Sequence, residues 1–147
     1  MRSPIFAISP TGTKAQQYLH RARQFRDAAA GLPDYRNGEQ NWPRYALLTH
    51  AIELALKAFA HHSAGDGPIS NEPKQHDLVG WYEIAVAFGL PDERTVAENI
   101  GFLSEIHKTH FMRYPKQLPG PLPNLETIVD ETVEHLISTF TQVINPR

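Results

Sequence analysis

Apolar residues recur at helical spacing in five stretches of the chain, and helical breakers separate them. Ala15, Tyr18, Leu19, Ala22, Phe25 and Ala29 form the first stripe, with Thr11 or Thr13 placed to cap it and Gly31-Leu-Pro33 to stop it. The stretch 33–43 reads as a loop. Pro43 then suits the first turn of a second helix. In that helix Leu48, Ile52, Ala55 and Phe59 make one face, and Leu47, Ala51, Leu54 and Ala58 widen it. A helix apolar over so wide an arc is expected at the centre of the fold. Gly65 supplies its C-terminal cap.

A third pattern runs from His76 to Gly89. A fourth starts near Asp92, which can cap it, and turns Val96, Ile100, Leu103 and Ile106 or His107 inward. A proline-rich connection follows, and Asn124 can cap the last helix. The stripe there is Leu125, Ile128, Val129, Thr132, Val133, Leu136, Ile137, Phe140 and Ile144. Strand signals are weak throughout. The expectation is an all-α fold, an antiparallel bundle of about five helices at 11–31, 43–63, 76–89, 93–113 and 125–144. Residues 1–147 form one domain, with 1–10 a flexible N-terminus.

Composition narrows the chemistry. With no cysteine, a disulfide framework and a zinc–thiolate site are both excluded. The formal charge of −2 argues against nucleic acid bound by bulk charge, while leaving room for a local basic patch. No run approaches the roughly 20 apolar residues of a membrane span, and 1–13 lack a signal-peptide core. The composition fits a reducing cytoplasm.

The string ELALKAF at Glu53–Phe59, a proline-bearing loop, KQHDL at Lys74–Leu78, the Ala85–Leu90 segment and FMRYP at Phe111–Pro115 together resemble the HEPN (higher eukaryotes and prokaryotes nucleotide-binding) group over residues 45–115. The resemblance implies a helical bundle that commonly dimerises. Many members are ribonucleases of toxin–antitoxin or phage-defence systems, and others have lost catalysis and bind partners. Catalytic members share an Arg-x4–6-His motif on a late helix and need no metal. Here that region reads HKTHFMRYP, with the histidines before the arginine. The Arg-x5-His at Arg44–His50 is at the level of chance and lies on the wrong helix.

The leading expectation from the resemblance is therefore a non-catalytic HEPN-like module for a nucleotide, RNA or protein partner such as an antitoxin, working as a homodimer in a prokaryotic stress or defence system. The first alternative is a metal-independent endoribonuclease. The second is a structural protein-interaction domain, with an apolar patch around Trp42 and 118–122.

His107, His110 and Arg113 recur at i, i+3 and i+6 and are the candidate catalytic residues. Arginine holds phosphate bidentately, and histidine exchanges protons near neutral pH. Read structurally, His107 belongs to the core and Arg113 caps the helix. Lys57, His76, Asp77, Tyr114 and Trp81 are candidate binding residues, with Tyr114 or Trp81 offering a face for stacking. Glu53, Lys57 and Asp77 are expected to form a polar seam, because a lysine among apolar residues requires a partner. Glu53 and Lys57 have the favourable i, i+4 order for a plain helix pair. Asp77 can also act simply as an N-cap.

No cofactor or metal is expected. A His/carboxylate site could be assembled from His50-x-x-Glu53 and His107-x-x-His110 only if their helices met. His61-His62 is attributed to the helix dipole. Arg21, Arg23 and Arg26 read as a solvated face or a phosphate contact.

Overall fold

The computed structural model describes residues 12–33, 35–36, 39–74, 76–108 and 125–145. It is helical as expected, with α1 (Lys14–Ala30), α2 (Trp42–Ser63), α3 (Leu78–Ala87), α4 (Arg94–Lys108) and α5 (Leu125–Ile144). The expected N-terminal flexibility, the end of the fourth helix at 109–113 and the Asn124 cap lie outside the described residues. One addition to the sequence reading is a minimal antiparallel ladder, β1 (Tyr35–Arg36) with β2 (Glu39–Gln40), inside the stretch read as loop. Its signal was Asn37-Gly38, a dipeptide favoured between hairpin strands.

The first three helices are fixed locally by their termini. Thr13 accepts from the Gln16 backbone N–H at 3.1 Å, and the Gln16 side chain accepts from the Thr13 backbone at 3.0 Å. This reciprocal capping box satisfies two orphan donors at the start of α1. Pro43 occupies the first turn of α2, where its missing N–H costs nothing. Gly65, just past the end of α2, has φ +61°, a conformation that glycine adopts without a Cβ penalty.

At the start of α3 the Asp77 carboxylate accepts from the Gly80 backbone N–H at 3.1 Å. A Cβ on Gly80 would lie 2.7 Å from that carboxylate and 2.8 Å from the Pro73 Cβ, so the cap requires glycine there. Asp92 does not cap α4 as expected; its carboxylate accepts the Tyr82 hydroxyl at 3.0 Å, and that hydroxyl accepts from the Glu93 N–H.

The core forms around α2, which contacts all four other helices. Leu48, Ile52, Ala55, Leu56 and Phe59 are buried in it, which bears out the central position expected of so wide an apolar face. The Phe59 ring stacks on Phe140 of α5 at 4.9 Å. Burying a side chain of this size is worth about 1.5–3 kcal/mol. The stripe expected of the last helix faces inward, with Ile128 half-buried. Arg44 of α2 reaches Asp130 of α5 at 3.2 Å, tying the helices together at a second level. Among the described residues no helix is long and apolar enough to cross a membrane.

Asp77→Ala is expected to cost about 1 kcal/mol through loss of the cap. Asp77→Asn, which can still accept, should cost far less. Urea unfolding of the two variants checks this. Equal losses would mean that the contact with Lys108, at 4.0 Å and largely exposed, is what matters.

Candidate functional site

Along α2, residues 50, 53, 57 and 61 are spaced i, i+3, i+7 and i+11, which puts them on one face of a helix. They are His50, Glu53, Lys57 and His61, a polar seam along a helix whose other faces are mostly apolar. Its centre is Glu53, 1 % exposed. The Lys57 ammonium donates to Glu53 Oε2 at 2.9 Å. His76 Nδ1 and His107 Nε2 each lie 2.9 Å from Glu53 Oε1. A carboxylate oxygen only accepts, so each of these ring nitrogens presents its N–H to Oε1. One buried carboxylate thus collects three donors from α2, from the loop before α3 and from α4.

Burial alone would push the Glu53 carboxyl up. The hydrogen bonds from His107, Lys57 and His76 outweigh it and hold the group well below the ordinary carboxylate range. His76 sits in the left-handed region at φ +69°, unusual for a residue with a Cβ. Its ring meets that of His107 edge-on at 4.7 Å. The donors keep an edge toward solvent: side-chain exposure is 21 % for His76, 15 % for Lys57 and 11 % for His107. The cluster is therefore reachable, not sealed in the core.

Trp81 of α3 supports the seam. The Lys57 ammonium lies 5.4 Å from the centre of its ring, within range for a cation–π contact. Further along, His61 stacks flat on Tyr18 at 5.2 Å and lies near Trp81. At the other end, His50 meets Phe25 edge-on at 4.6 Å. Burial lowers the pKa of both His50 and His61, which favours the neutral ring. His61 is thus a buried aromatic partner, and the helix-dipole account of it does not hold.

Several candidate residues take different parts from those expected. Glu53 and Lys57 do pair. Asp77 takes the N-cap role that the sequence offered it and faces Lys108, so it neither completes the seam with Lys57 nor orients a histidine. It is Glu53 that holds the histidines. Trp81 is only 1 % exposed, so its ring is a floor for Lys57 and not a surface on which a nucleobase could stack. His107 joins the centre, whereas His110, Arg113 and Tyr114 lie outside the described residues, as does the apolar patch proposed at 118–122.

His50 and Arg44 take separate roles, Arg44 reaching to Asp130. Of the basic residues on α1, Arg26 is paired with Asp27 and Glu134, and Arg23 donates to Thr141 at 2.6 Å. Those two arginines line an open cleft of about 600 Å³ against α5, where the acidic partners offset the charge of Arg26.

The helix juxtaposition that a His/carboxylate site required is present for three of its four members. Donor atoms of His50, Glu53 and His107 all lie within 4.8 Å of one another. The part played by His50 was legible in the i, i+3, i+7, i+11 polar repeat on an otherwise apolar helix. Compared with family models, with curated proteins and with solved structures, the chain matches none.

Proposed function

We propose that this chain is a HEPN-like, non-catalytic binding module for a phosphate-bearing ligand, RNA or a nucleotide, engaged at the Glu53 centre. The observation that carries the reading is the convergence of Lys57, His76 and His107 on one buried carboxylate, each with part of its side chain facing solvent. Glu53 spends its charge on positioning these donors. The Lys57 ammonium has three N–H donors and gives one to Glu53, so it can also donate to a phosphate oxygen, and the two imidazole edges line the same opening. The resemblance to the HEPN group, carried by Glu53–Phe59 and Lys74–Leu78, supports the nucleotide or RNA class. It also supplies the antiparallel arrangement of the bundle, a homodimer, an antitoxin-like protein partner, and a cytoplasmic role in prokaryotic stress or defence.

A second reading, a metal-independent ribonuclease using His107 or His110 with Arg113, is favoured by the carboxylate–imidazole contact between Glu53 and His107. A carboxylate that fixes the orientation of an imidazole is how many enzymes prepare a general base.

Anisotropy of a labelled mixed RNA pool with EDTA present, followed by a gel of the same samples, separates the two. Binding without cleavage is expected, weakened about tenfold in Lys57→Gln and His76→Ala, on the order of one charge-assisted contact each. Cleavage that disappears in His107→Ala would replace this reading with the ribonuclease. RNA neither bound nor cut would exclude the ribonuclease and would exclude RNA as the ligand of the binding module.

A further inference from the structure

We infer that His50, Glu53 and His107 form a binding site for a divalent transition-metal ion of the zinc class. The three donor atoms lie within 4.8 Å of one another, drawn from α2 and α4. Two imidazoles and one carboxylate suit zinc, which commonly takes three protein ligands and leaves a fourth position for water or substrate. His76 Nδ1 lies 2.9 Å from Glu53 Oε1, on the carboxylate oxygen that faces the histidines.

The surroundings hold the donors in place. Phe25 meets the His50 ring edge-on, and His76 does the same for His107. Lys57 occupies Glu53 Oε2 and leaves Oε1 directed at the histidines. Ligating carboxylates are typically fixed in this way by a hydrogen bond on the second oxygen. The ammonium of Lys57 also opposes the ion. Its position on the far oxygen limits that opposition, and the affinity should be lower than at a site with no neighbouring cation. An ion between Glu53 Oε1 and His107 Nε2 would replace the hydrogen bond between them with two direct bonds, the neutral ring then carrying its single proton on Nδ1 and presenting the Nε2 lone pair.

The inference does not rest on RNA or nucleotide binding, and its test contains neither. Tag-free protein comprising residues 1–147 is stripped with chelator and dialysed against zinc chloride. Cobalt(II) is added separately, and its visible absorption reports coordination. The expected result is one zinc per chain and cobalt bands of low-coordinate intensity. His50→Gln and His107→Gln should each weaken uptake at least about tenfold, and their combination should abolish it. His135→Ala changes a histidine that faces Glu93 elsewhere and should bind as the wild type does. Far-UV circular dichroism establishes that each variant is folded. Should the double variant not fold, wild-type stoichiometry and the cobalt spectrum decide alone. No uptake by the wild type, or undiminished uptake by a folded double variant, would overturn the site. Either result leaves the RNA-binding reading untouched.

Discussion

Glu53→Ala is expected to destabilise the protein by about 3–5 kcal/mol, the usual loss when one partner of a buried charge cluster is removed. The substitution deletes the acceptor of three hydrogen bonds and leaves the Lys57 ammonium and two imidazole N–H groups facing the space vacated by the carboxylate. Partial exposure of these donors lets water reach them, which places the effect toward the lower end. Glu53→Gln retains one acceptor without the charge, and about half the loss is expected. Urea unfolding followed at 222 nm measures both. A cost for Glu53→Ala near that of a surface substitution would mean that the cluster contributes nothing to the fold.

The same variant changes the acid limb of the stability curve. The folded-state pKa of Glu53 lies below its ordinary value of 4.5, so its contribution is complete above that pH and is lost as pH falls below it. His50 and His61 also have lowered values, from an ordinary 6.5, because burial disfavours the charged ring. A histidine buried neutral likewise gives its full contribution above 6.5. That contribution is lost as pH falls from there, since the unfolded chain takes up the proton first. Wild-type stability should therefore decline in two stages, one starting near 6.5 and a second below 4.5. Glu53→Ala should flatten the second stage. Parallel curves for the two proteins would contradict the link between Glu53 and acid sensitivity.

The second large effect is expected at Trp81. Trp81→Ala should cost about 3–5 kcal/mol, as large-to-small changes of buried aromatics do. At 1 % exposure the ring is fully inside, and its removal opens a cavity beneath Lys57 and beside His61. Trp81→Phe keeps an aromatic face for the ammonium and removes an indole N–H that has no partner among the described residues. Its cost should be nearer 1–2 kcal/mol, set by the lost volume. Equal losses for the two variants would point to a polar role for the indole nitrogen in place of packing. A loss under about 1 kcal/mol for Trp81→Ala would place the ring outside the core.

Much of the architecture was legible along the chain. The 3.6-residue period of Leu125 to Ile144 placed the last helix at the residues observed, because an amphipathic helix carries its burial pattern within itself. Thr13, Pro43, Gly65 and Asp77 signalled helix ends through backbone chemistry that acts over four residues or fewer. The width of the apolar arc on α2 indicated its central position. Glu53 and Lys57, four apart on one helix, were read as a pair for the same local reason.

The site was legible only in part. His76 and His107 lie 23 and 54 residues from Glu53, and no periodicity within one helix records that they meet it. Asp77 stood beside His76 in sequence and was the nearer candidate to orient it. The packing of the loop before α3 onto α2 instead gave that role to Glu53. Trp81 had the composition of a stacking surface, and burial withdrew it. The sequence by itself determined which segments are helical, where they begin and which faces turn inward, since those properties depend on neighbours within a turn or two. Only the tertiary structure decided which polar groups share a carboxylate, because that contact depends on how helices distant in sequence pack, and burial then makes it costly to leave unmade.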